Sequence, residues 1–168
     1  AVQNSWGAAT HEALDVRPTD PRIHKGTKPN IDSYSAFFDN CKANDTGLTA
    51  LLEAEGITDV YCCGLVFDIC VKSTALHGAE MGFIVSVVED ACRSLDPKQT
   101  KAVKAELAGA GIAVVSAAAA ARAARGGRGQ TCELRDVLAA AHNSRAAHGI
   151  DSRAQLGGAS MGKGPAHT

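Results

Sequence analysis

The sequence predicts an α/β protein: a doubly wound, mostly parallel sheet with helices on both faces, incomplete at its N-terminus. Three observations carry this expectation. Short apolar runs alternate with amphipathic segments from the start of the chain to about residue 116. One run, DVYCCGL at residues 59–65, is apolar on both of its faces, as strands inside parallel sheets are. Glycines at positions 56, 82 and 111 stand where successive helical segments should end.

Taken in order, RIHKG at residues 22–26 reads as the end of a strand. Residues 32–40 form a short aromatic-rich segment with Tyr34, Phe37 and Phe38 at helical spacing. Thr46 is placed to cap a helix whose apolar face is Leu48, Leu51 and Leu52, closed by Gly56. The strand at 59–65 follows, then a helix over residues 68–81 ended by Gly82. FIVSVV at 83–88 is the next strand, residues 97–110 the next helix, and 112–115 the last strand. Near Ala117 the composition changes to Ala, Arg and Gly, with one more helix expected over residues 131–147. Residues 117–168 hold 7 Lys and Arg against 3 Asp and Glu, whereas residues 1–116 hold 10 against 15. The division expected is therefore an α/β domain over 1–116 and a basic, partly disordered extension over 117–168.

A chain of 168 residues is long enough to bury one proper core. A formal charge of −1 offers no attraction for nucleic acid or an anionic membrane, so neither is expected as a partner. No apolar run reaches the ~18 residues that a spanning helix needs. The six cysteines, Cys41, Cys62, Cys63, Cys70, Cys92 and Cys132, show no metal-finger spacing. They read as reduced thiols of a cytoplasmic protein, most of them inert core residues.

Cys70 is the exception. It follows the 59–65 strand by a few residues, at the carboxyl end of the sheet where ligands bind in open α/β folds. Asp68 has the chemistry to cap the next helix, which would put Cys70 in its first turn. Backbone N–H groups there point outward and the helix dipole favours an anion, so the position suits a thiolate nucleophile and the oxyanion its attack would create. Lys25, at a strand end in IHKGT, offers a cation for the thiolate or for a carbonyl. The same residues also admit a buried structural cysteine and a solvated lysine, and spacing alone does not choose. Lys72 is expected to point elsewhere, and His77, His142, His148 and His167 to lie on the surface.

Five segments, in order and spacing, carry a resemblance: VQNSWGA at 2–8, HKGTKPNIDSYSAFFDN at 24–40, TGLTALL at 46–52, GITDVYCCGLVFDICVKSTA at 56–75 and GFIVSVVEDACR at 82–93. Through them the chain resembles the nicotinamidases of the isochorismatase-like cysteine hydrolase superfamily, particularly the eukaryotic ones. The resemblance implies Cys70 as nucleophile, Lys25 as catalytic lysine and Tyr34 as an aromatic wall of the pyridine pocket. It implies an oxyanion hole from the backbone N–H groups of Val66 and Cys70, with a cis peptide between Leu65 and Val66; Val66 stands where the family usually has Ala. The implied reaction is hydrolysis of nicotinamide to nicotinate and ammonia in NAD salvage.

The family's general-base Asp and its ligands for a divalent metal (zinc, iron or manganese) precede the VQN segment, and no residue here matches them. His11 and His24 lack the D-x-H setting of those ligands. The chain is thus expected to lack the N-terminal part of its family and to be weak or inactive alone. Two other readings stay open: another small-amide hydrolase of the superfamily, and a non-catalytic binding or scaffold remnant. A homo-oligomer is compatible with all three.

Overall fold

Three parallel strands form one sheet in the order β1–β2–β3: Asp59–Leu65, Ile84–Arg93 and Ala113–Val115. The computed structural model describes residues 2 and 4–125. The expected helix over 131–147, Cys132 and the three C-terminal histidines lie outside the described residues. Parallel strands need a crossover, and helices supply each one. The β1–β2 connection is a π-helical turn, Phe67–Val71, running straight into α2, Lys72–Glu80. The β2–β3 connection is a single 3-10 turn, Pro97–Gln99, and then α3, Thr100–Gly109. Before β1 stands α1, Leu48–Ala54, and after β3 the Ala- and Arg-rich α4, Ala117–Arg125, packs against β2.

The core explains the order. Val85, Ser86, Val87 and Val88 are all buried, so both faces of β2 are covered, as a central strand requires. Around them lie Phe37, Phe67, Val71, Ala75, Ala79, Val103, Leu107 and Ile112. Leu107 and Phe37 are wholly removed from solvent, each contributing about 1.5–3 kcal/mol.

Several sequence expectations are corrected. Burial on both faces belongs to β2, not β1: only Cys62 of β1 is buried, because β1 is an edge of the described sheet. Residues 22–26 form no strand; they are exposed apart from the half-buried Ile23, and Gly26 takes φ +66°. Residues 32–40 form no helix. They make a strap whose far end folds back, with Phe38 bridging Asp45 antiparallel. The cap of α1 is Gly47 rather than Thr46: its φ of +84° suits glycine, although the Thr46 hydroxyl still accepts from Leu48 N–H at 3.3 Å.

β2 outruns the expected 83–88 by five residues. Its pairing with β1 shifts between Cys62↔Val87 and Gly64↔Cys92, so residues 88–91 of β2 stand opposite Cys63 alone. Gly64 takes φ +110° at that shift, a conformation that side chains avoid. The cysteines are less buried than expected: Cys62 and Cys92 are core residues, but Cys41 and Cys63 are exposed and Cys70 is half-buried. Burial pushes the Cys62 thiol up to about 12 and raises that of Cys92. His77 is not on the surface either; it packs edge-on to Phe38, 5.7 Å between ring centres, and burial lowers its pKa.

Candidate active site

The chain leaves β1 through a cis peptide between Leu65 and Val66 and turns at once into the π-helical turn. The Val66 carbonyl accepts from the N–H groups of Ile69 and Val71, 3.2 and 3.0 Å away, closing the backbone around Cys70. A π turn at a helix start is rare, and such turns are often found at functional sites. It also changes what Asp68 does. The helical segment opens at Phe67 with Val66 as its cap, and Asp68, expected as the cap, lies inside the first turn. Its buried carboxylate instead accepts from the backbone N–H groups of Leu95 and Asp96, at 2.8 and 2.9 Å. Those bonds, the one from Asp96 first, hold its carboxyl below the ordinary 3.8. Asp68 therefore ties the Cys70 turn to the loop after β2, and Asp96 in turn caps the 3-10 turn through Lys98 N–H.

Lys25 reaches this turn from 45 residues upstream. Its Nζ lies 3.7 Å from the Cys70 Sγ and donates to the Ser33 carbonyl at 2.6 Å. The structure thus brings together the thiol and the amine singled out in the sequence, although Lys25 rests on no strand. The strap carries the anchor. Sequence reasoning missed Ser33, because a backbone carbonyl leaves no signature in the side chain.

The strap is itself held at several points. Ala36 N–H donates to Thr74 Oγ1 at 3.0 Å, and the Thr46 hydroxyl donates to the Ala36 carbonyl at 2.6 Å. The Phe37 ring stacks on Phe83, 6.0 Å between centres. Asp39 accepts from the Cys41, Ala43 and Asn44 N–H groups, and the Asn44 side chain leads in holding its carboxyl below the usual range. Tyr34, on the same strap, is partly exposed and its backbone N–H donates to Asn40 Oδ1. A shallow cleft opens beside Lys25, lined by His24, Ile31, Ser33, Asp39 and Thr46 among others; Tyr34 and Cys70 do not line it.

Lys72 points away and pairs with Glu106 on α3 at 3.0 Å. His11 Nδ1 accepts from its own loop, at Ala13 N–H. Among the described residues no three His, Cys, Asp or Glu side chains gather as a metal would need, so these residues do not fit a metal centre. Nor, among them, is any helix long and apolar enough to cross a membrane.

Attack by sulfur on an electrophilic carbonyl carbon is the chemistry this geometry allows: a thiol at a helix start with a cation beside it. The isochorismatase domain model matches residues 1–119. This chain belongs to the isochorismatase family. Among its relatives, the nicotinamidase of Escherichia coli (strain K12) is 38% identical over 112 residues, covering 66% of this chain and 53% of that protein. The chain spans about half the length of the curated relatives it matches. Among solved structures, PnC1 from L. infantum in complex with nicotinate superposes with a TM-score of 0.67 at 36% identity, over 70% of this chain and 59% of that one. The pyrazinamidase of Pyrococcus horikoshii in complex with zinc superposes with a TM-score of 0.60 at 31% identity, over 68% of this chain and 59% of that one. This isochorismatase-family chain thus shares the parallel α/β fold of those enzymes across its described sheet and helices.

Proposed function

We propose that the protein is a cysteine amidohydrolase that converts nicotinamide and water to nicotinate and ammonia. The observation that carries this reading is the Lys25 Nζ at 3.7 Å from the Cys70 Sγ, on a turn wrapped by backbone amides. Nicotinamidase relatives and the nicotinate-bound neighbour supply the substrate class. In this reading the Cys70 sulfur attacks the carboxamide carbon, forming the C–S bond as the C=O electrons move to oxygen. The thiol proton passes to a general base and then to the departing nitrogen. The Val66 and Cys70 N–H groups hold the oxyanion. Collapse breaks the C–N bond, ammonia leaves, and water cleaves the thioester to nicotinate and free thiol. Lys25 steadies the negative charge on sulfur, and Tyr34 faces the pyridine ring.

The base in this scheme is the family's Asp, which the resemblance places on a strand before residue 2. A divalent ion, zinc, iron or manganese, belongs to the same reading, by likeness to the zinc-bound neighbour. Its donors are not assembled among the described residues, and no step above passes through it. A cytoplasmic location fits a salvage reaction.

The test is ammonia release from nicotinamide with divalent metal present. The chain is assayed beside a version extended at its N-terminus by the matching segment of the Escherichia coli relative, each with a Cys70→Ala control. Turnover in either form that disappears with Cys70→Ala is the expected result. Folded proteins with no turnover in both forms would remove nicotinamide as the substrate.

A further inference from the structure

Thr74 lies four residues after Cys70, one turn along the same helical face. Its hydroxyl donates to the Cys70 carbonyl at 2.8 Å. A threonine bonding back to a carbonyl four residues earlier is common in helices and by itself says little. Here the same oxygen also accepts, from Ala36 N–H at 3.0 Å, across 38 residues of sequence. One hydroxyl therefore joins two segments: the turn that carries the thiol and the strap that carries the lysine's anchor. Three residues before Ala36, the Ser33 carbonyl holds Lys25 Nζ, which meets the thiol. The path closes on itself: Cys70 carbonyl, Thr74 hydroxyl, Ala36, Ser33, Lys25, Cys70 thiol.

We propose that Thr74 is a positioning residue, which sets the spacing between Lys25 and the Cys70 sulfur by fastening the strap to the nucleophile's own turn. The proposal rests on the amide-hydrolase reading of Cys70 and Lys25. The neighbours on the strap share the load without replacing it. Phe37 packs on Gly78 and Phe38 on His77, one turn beyond Thr74, and Thr46 donates to the Ala36 carbonyl, but none of these bonds the strap to the Cys70 turn. The pair of hydrogen bonds at Thr74 fixes distance and direction between the strap and the carbonyl of Cys70 itself. Displacements of about 1 Å at a reacting pair cost up to roughly a hundredfold in rate, so a joint of this kind matters to catalysis without touching substrate.

The test compares Thr74→Val, which keeps the shape and loses the hydroxyl, with Thr74→Ser, which keeps the hydroxyl. Thr74→Ala runs beside them should the valine variant fail to fold. Two readouts are taken on the full chain. The first is the rate of Cys70 alkylation by iodoacetamide at pH 7, followed by peptide mass spectrometry with Lys25→Ala as reference. The second is kcat and KM for nicotinamide, in whichever form turns over. Loss of the hydroxyl is expected to slow alkylation roughly tenfold, towards the Lys25→Ala rate, because the ammonium no longer stands beside the sulfur as it attacks. It is expected to lower kcat roughly tenfold or more while KM changes little, and Thr74→Ser is expected to recover most of both losses.

A folded Thr74→Val or Thr74→Ala variant that alkylates at the parent rate would overturn the proposal. So would a serine variant as impaired as the valine one. Alkylation needs no substrate, so it decides the role of Thr74 even where nicotinamide turnover fails and takes the hydrolase reading with it.

Discussion

Asp68 shows how one residue can be right in chemistry and wrong in partner. A carboxylate two positions before a helical cysteine looks like a cap, and the π-helical turn moves the helix start to Phe67, which leaves Asp68 free to bind across to Leu95 and Asp96. Its folded pKa is lowered, so its contribution to stability is present above the unfolded value near 3.8 and is lost as pH falls through the folded value. Asp68→Asn offers one acceptor to two N–H donors, and its own NH2 group opposes the second. The variant is therefore expected to unfold at lower urea than the parent at pH 7, with the gap closing as pH falls below the ordinary carboxylate range. A gap that stays constant from pH 7 to pH 2 would contradict this account. The position of Cys70 in a helical turn just after a strand was legible, and Thr74 lies one turn further along the same face. The Ser33 carbonyl was not legible, since backbone geometry is set by the fold.

Among the elements, α2 is the one on which the site is assembled. Its face Thr74, His77 and Gly78 receives Ala36, Phe38 and Phe37 of the strap in turn. Gly78 is small because the ring needs the space: a Cβ there would lie 3.1 Å from Phe37 Cε2 and 3.2 Å from Val85 Cγ2. Phe37 is fully buried and cannot simply swing out. Gly78→Ala is expected to cost about 1–3 kcal/mol through overpacking, read as a lower urea midpoint. An unchanged or raised midpoint would show that strap and β2 yield more easily than their burial suggests. Tyr34, Phe37 and Phe38 have helical spacing, but Phe37 points into the core while Tyr34 stays partly exposed, and the backbone is held by threonine hydroxyls and by an Asn40 N–H to Asp32 carbonyl bond rather than by a helical ladder.

At the scale of the molecule, the alternation of strand and helix after residue 56 was legible because glycines and apolar runs punctuate it regularly. The segment before α1 was not, because its order comes from contacts with residues far along the chain: Lys25 with Cys70, Ala36 with Thr74, Lys42 with Glu80. The expectation that β1 is buried on both faces failed for a related reason, since a strand's neighbours are a property of the sheet and Leu65 remains 71% exposed. One consequence concerns time rather than place. The Ala36 amide has its acceptor on a helix side chain, outside every ladder and every helix. Its proton can exchange with deuterium whenever the strap lifts, while the buried amides of β2 wait for the sheet itself to open. Ala36 is thus expected to exchange faster than Val87 and slower than the exposed residues 22–26, and to quicken in Thr74→Val with Val87 unchanged. Simultaneous exchange of Ala36 and Val87 would mean that strap and sheet open as one unit. The exchange of that single proton would otherwise time how often the strap parts from the helix beneath it.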